Sequence, residues 1–152
     1  MIKVRARLKK AELYVIGNGE LNEVEGMKVF GFIPHDERLL LLLSKCSVYI
    51  HPARFEAFGA SVVEAMAAGL IPIVTEMTGA KDLVKQVDPS LIVPVDVDAI
   101  SKRILEVLSM SIDEKKSLSE KAKQVAMEWS MKTREVFLRK IIKCLKMLTE
   151  NK

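Results

Sequence analysis

A chain of 152 residues, 49% of them hydrophobic, has the material for one domain around one core. Its 24 basic and 20 acidic residues are interspersed and leave a net charge of +4, too small a surplus to mark a nucleic-acid-binding protein. Cys46 and Cys144 have neither metal-ligand nor CxxC spacing, the basic N-terminus lacks an apolar h-region, and the apolar run 62–74 is short and broken by Glu64, Gly69 and Pro72. A cytoplasmic protein with reduced thiols is therefore expected.

Along the chain, residues 2–10 read as part of a helix and residues 12–17 as a first strand, closed by Gly17-Asn18-Gly19. A short strand over 29–32 (VFGF) runs into Pro34, which favours an extended entry to a turn. Asp36 can cap the helix carrying the leucines of 39–43, whose unbroken apolar run predicts burial on most sides. Residues 48–51 form the next strand, residues 52–59 a loop, and residues 61–68 a short apolar helix stopped at Gly69. A strand over 71–75, a polar turn at Thr78 and Gly79, a short helix over 82–86 and a last strand over 91–93 complete the alternation. That alternation is the signature of a parallel sheet made of βαβ units.

Beyond Asp96 the period is helical throughout. Ile100, Ile104, Val107 and Leu108 share one helix face, and Leu118, Ala122, Val125, Ala126 and Trp129 share another; Ser111 and Glu114 have capping-box spacing for that second helix. A final helix over 131–150 carries Phe137, Ile141, Leu145 and Leu148 on one side and a basic remainder. That helix either lies weakly on an anionic membrane surface or packs by its stripe and keeps a solvated basic face.

The residues best suited to chemistry are Glu56, in the loop, and Glu64, in the helix, separated by seven residues. The neighbours of Glu64 are almost wholly apolar, so its carboxylate is expected to have little solvated face and to need partners. A carboxylate accepting from two adjacent hydroxyls grips a ribose or hexose, and the amides of Phe58, Gly59 and Ala60, at a helix N-terminus, suit a phosphate or a sugar edge. The alternative is a structural one, with Glu64 paired to a Lys or Arg across the core and Glu56 a solvated loop residue. Gly17-Asn-Gly19 lacks the third glycine of a dinucleotide fingerprint, because Asn22 stands there, and His35 and His51 lack a Cys or Asp cluster at metal spacing. No metal or other cofactor is expected.

The stretch GFIPHDERLLLLLSKCSVYIHPARFEAFGASVVEAMAAGLIPIV (residues 31–74) resembles the donor-binding C-terminal domain of the family-4 retaining glycosyltransferases. The matching elements are VFGFIP, VYIHP, the E-x7-E signature with its internal Phe-Gly, the EAMAAG helix and the TGAKDLV turn, in the family's order. LIVPVDVDAISKRILEVL then resembles the closing segment and EWS its last junction, so the resemblance covers residues 13–148. It implies an α/β fold, one three-layer Rossmann-like lobe of the GT-B architecture without its first βα unit, forming a single domain over residues 1–152.

The same resemblance implies a set of roles. Glu56, the catalytic candidate, would hold the donor sugar and phosphate together with Ala57, Phe58, Gly59 and Ala60; Glu64 would hold the ribose. The backbone of Phe32, Ile33 and Pro34 would meet the base, and Gly17, Thr78 and Gly79 would line the cleft. The expected activity is the donor half of retaining hexosyl transfer from a nucleotide-diphosphate sugar, with the acceptor on an absent N-terminal domain or a partner chain. The isolated chain is then expected not to catalyse transfer. The alternative is a non-catalytic sugar-nucleotide-binding or assembly module. The family's Gly-Arg and Lys-Gly pairs, which neutralise the diphosphate, have no counterpart, Ala53 stands where serine is frequent, and Gly69-Leu-Ile-Pro72 is one residue longer than G-x-P.

Overall fold

Among the described residues five short strands, all parallel to their neighbours, form two ladders rather than one. β1 (Leu13–Val15) pairs with β2 (Met27–Val29), Leu13 opposite Met27. β3 (Val48–His51) pairs with β4 (Ile71–Thr75), and β4 with β5 (Ile92–Val93). The structure, a computed structural model, describes residues 1–150 apart from Asn18 and Glu20; for Phe137, Leu138 and residues 141–150 it describes a helical backbone without side chains. The expected stripe of Phe137, Ile141, Leu145 and Leu148, together with Cys144 and Asn18, lies outside the described residues.

The helices are α1 (Ile2–Arg5), α2 (Glu37–Leu43), α3 (Ala60–Ala67), α4 (Lys81–Val87), α5 (Val97–Ser109) and α6 (Ile112–Glu150). The crossovers β3-α3-β4 and β4-α4-β5 run in one direction along the sheet, and a common right hand puts α3 and α4 on one face, where both pack against α6. α5 packs on β3, β4 and β5 and also meets α1, which gives the three layers of a Rossmann-like lobe. β4, central in its ladder, buries all five residues, as its uninterrupted apolar sequence requires. Around it Met66, Val84, Leu91, Val107 and Ala122 are fully buried.

Local chemistry fixes the helix ends. The carboxylates of Asp36 and Asp96 accept from the amides of Arg38 and Ala99, at 2.9 and 2.8 Å. Ser111 and Glu114 close the capping box in both directions: the Ser111 amide donates to Glu114 Oε2 at 2.8 Å and the Glu114 amide to Ser111 Oγ at 3.2 Å. That exchange holds the Glu114 carboxyl below the usual carboxylate range, chiefly through the Ser111 hydroxyl.

Four expectations are corrected. The strand read at 29–32 lies at Met27–Val29, because the ladder opens with the Leu13 amide on the Gly26 carbonyl at 2.8 Å; beyond it the Phe30 amide reaches Val15 at 2.9 Å. Leu91 closes a 3-10 turn (Pro89–Leu91) before β5. The leucine run of α2 is not buried on most sides, since five consecutive residues sweep right round a helix; Leu40 and Leu41 are 63% and 60% exposed. EWS makes no junction: α6 runs through it, and Trp129 stacks on Phe58 with ring centroids 5.1 Å apart. Among the described residues no helix is long and apolar enough to cross a membrane.

Candidate functional site

Within each ladder the strands are parallel, so the segments that follow β1 and β2 leave one end of the first, and those that follow β3 and β4 leave one end of the second. The binding candidates singled out from the sequence lie in these segments and in α3.

On the side of β1 and β2, the Gly17 amide donates to the Gly31 carbonyl at 2.8 Å, which fixes Gly17 beside the turn of Phe32, Ile33 and Pro34. Phe32 is 67% exposed, and Pro34 is exposed as well. The turn then reaches across to α3, where His35 Nε2 lies 3.2 Å from Glu64 Oε2. The expectation that Glu64 has little solvated face is corrected here. Its side chain is 48% exposed, and its recorded partner is His35, itself 70% exposed, rather than a Lys or Arg across the core. The apolar neighbours in sequence, Val62, Val63, Ala65 and Met66, face inward and leave Glu64 on the outer side.

On the side of β3 and β4 the loop after β3 is stitched to the turn after β4. The Glu56 amide donates to the Met77 carbonyl at 3.0 Å, the Gly79 amide to the Glu56 carbonyl at 2.9 Å, and the Ala80 amide to the Phe58 carbonyl at 2.7 Å. Thr78 is buried to 1%, its Oγ1 3.3 Å from Thr75 Oγ1, and Thr75 Oγ1 donates to the Ala53 carbonyl at 2.5 Å. Gly79 permits this approach, for a Cβ there would lie 2.0 Å from the Ala57 carbonyl oxygen. Gly59 starts α3 with φ of +85°, a left-handed conformation that glycine adopts without strain, and the first turn of α3 has no side-chain cap. Ala60 is exposed at that terminus. Glu56 bends back so that its Oε1 accepts from the Phe58 amide at 3.3 Å.

Spacing gave no hint of a second layer. Tyr49 and His51, two apart on β3, present their rings on one side, 6.2 Å between centroids. The Tyr49 hydroxyl donates to Ser61 Oγ at 2.9 Å and lies 3.3 Å from His51 Nδ1. Burial pushes the Tyr49 hydroxyl's pKa up, against the Ser61 hydrogen bond that lowers it, and the charges of Glu64 and Glu56 add to the rise. Behind it His51 Nε2 is buried without a hydrogen-bond partner among the described residues. Beside the site a cavity of about 450 Å³ opens between α3 and α6, bounded by Phe58, Val63, Glu64, Trp129 and Met131. Among the described residues no group of His, Cys, Asp and Glu is arranged to hold a metal ion.

Comparison with known proteins bears on this arrangement. A family model described as "Glycosyl transferases group 1" matches residues 3–125. O-antigen chain mannosyltransferase B of Escherichia coli is 34% identical over 83 residues, which are 54% of this chain and 21% of that protein. Probable sucrose-phosphate synthase 5 of Oryza sativa subsp. japonica is 36% identical over 78 residues, 51% of this chain and 8% of that protein. The chain thus spans about a fifth or less of the length of these curated relatives. Among solved structures WaaG, a glycosyltransferase involved in lipopolysaccharide biosynthesis, superposes with a TM-score of 0.65 at 20% identity, over 76% of this chain and 33% of that one. At that identity the likeness is one of fold.

Proposed function

The chain belongs to the glycosyl transferases group 1 family, and from that premise we propose that it is the donor-binding half of a retaining hexosyltransferase of the glucosyl or mannosyl type. In this reading Glu64 accepts from the two ribose hydroxyls, and the backbone of Phe32, Ile33 and Pro34 lies along the base with Gly17 behind it. Glu56 and the amides of Ala57, Phe58, Gly59 and Ala60 take the hexose and phosphate, and Thr78 and Gly79 close that side of the cleft through their backbone. The observation that carries the reading is the 3.2 Å contact of His35 with Glu64, since it brings the turn after β2 against the carboxylate on α3.

The chemistry asked of the chain is modest. A carboxylate has acceptor sites for both hydroxyls of a vicinal diol, and charge-assisted bonds of this kind are among the stronger ones. The uncapped N-terminus of α3 supplies donors and a positive dipole end toward a departing diphosphate. Glu56 would release the Phe58 amide to the sugar and orient the hexose hydroxyls. No metal is needed for these steps. The acceptor, its activation and the exclusion of water belong to a second domain or chain, with transfer occurring in the cytoplasm.

A titration of the chain with UDP, GDP and ADP and their glucose or mannose conjugates, followed by NMR shifts, tests the proposal. Perturbation is expected at Phe32, Ile33 and residues 58–64, with Glu64→Gln weakening binding at least about tenfold while the fold is kept. Shifts confined to other surfaces, or a Glu64→Gln variant that binds as well as the parent, would overturn it.

A further inference from the structure

We infer that His35 is a protonation-sensitive latch on Glu64, so that a nucleotide sugar binds this chain more weakly as the imidazole becomes charged. The inference rests on the reading of Glu64 as the ribose carboxylate. His35 Nε2 lies 3.2 Å from Glu64 Oε2, and both side chains are substantially exposed, so the contact can open without unpacking anything. A neutral imidazole holds the carboxylate by at most one hydrogen bond, which a diol replaces. An imidazolium forms an ion pair with the same oxygen, and an incoming ribose has to displace it.

Other charged and titratable groups surround the pair. On the segment of His35 itself, Asp36 and Arg38 are engaged with one another, Arg38 Nη2 lying 2.9 Å from Asp36 Oδ2. Tyr49 on β3 stands within electrostatic reach of Glu64 and of Glu56 in the following loop. His51 lies behind Tyr49. From α6, the side chains that share the cavity with Glu64 are Met127, Trp129, Ser130 and Met131, none of them charged. Between about pH 5.5 and pH 8 ordinary carboxylates, tyrosines and arginines keep their charge while an ordinary imidazole changes it, and the imidazole in contact with the carboxylate is that of His35.

The test measures binding of UDP-glucose, ADP-glucose and GDP-mannose, whose diphosphate diesters do not titrate in this range, to the 152-residue chain and to its His35→Gln and Glu64→Gln variants. For the sugar nucleotide that binds, the dissociation constant of the parent chain is expected to be about fivefold larger near pH 5.5 than near pH 8, the worth of one exposed ion pair. His35→Gln, which keeps a hydrogen-bonding amide without the charge, is expected to bind equally at both pH values, as tightly as the parent does near pH 8. A flat profile in the parent, or the same slope in His35→Gln, overturns the latch while leaving the donor site standing. Absence of binding at any pH with millimolar ligand, or binding indifferent to Glu64→Gln, overturns the donor reading and the latch with it.

Discussion

All five residues of β4 are buried, whereas none of the six residues of β1 and β2 is. The β3–β4–β5 ladder lies between α3, α4 and α6 on one side and α5 on the other. α1, whose buried residue is Val4, is joined to the segment before β2 by the Arg5–Glu25 ion pair and to α5 by packing and the Lys3–Asp98 ion pair, and the turn after β2 meets α3 through the His35–Glu64 contact. Buried apolar area is what stabilises a small domain, so stability is unevenly shared. The carboxylate end of the proposed site is mounted on the stable part and the base end on the less stable one. Donor binding would therefore stabilise the β1–β2 half most.

Ile73→Ala breaks the comparison at its stronger member. Ile73 is 1% exposed in the middle of β4, and its truncation is expected to cost about 3–4 kcal/mol in chemical denaturation. A cost no larger than that of a surface substitution would mean that the ladder is not the core. Gly79→Ala comes next, at about 2–3 kcal/mol, because the new methyl meets backbone rather than a side chain able to rotate away. An unchanged melting temperature would show that the loop after β3 and the turn after β4 are not held together as described. Leu13→Ala, half-buried on β1, is expected to cost only about 1 kcal/mol. Hydrogen exchange sharpens the same point: the amides of β1 and β2 are expected to exchange well before those of β4, and equal protection would erase the distinction.

The same contrast governs how much the sequence discloses. β3 and β4 are read at their observed bounds because fully buried strands are continuous apolar runs bounded by polar residues, and α3 follows from its apolar residues and the glycine that stops it. The cap at Asp36 and the Ser111–Glu114 box are local chemistry within four residues, which spacing reveals. The half-buried strand β2 has no such run, and its bounds shift. Leu40 and Leu41 look like core because hydrophobicity does not say which face of a helix finds a neighbour. His35 and Glu64 meet across 29 residues, and no periodicity links them; Tyr49 and His51 look like ordinary strand residues until Ser61 is brought beneath them. The gathering of Glu56 with Thr78 likewise appears only when β3 and β4 pair in register.

The stitching of residues 56–58 to residues 77–80 ties together two stretches that lie about twenty positions apart in the chain. Three backbone hydrogen bonds make them one mechanical part, so a change of length in one constrains the other. A residue inserted on one side would slide three consecutive amide bonds out of register unless the other side changed as well, and any side chain at Gly79 would collide with Ala57. If this loop holds a sugar as proposed, altered preference would arise by exchanging exposed side chains such as Arg54 and Phe55 on a backbone of constant length.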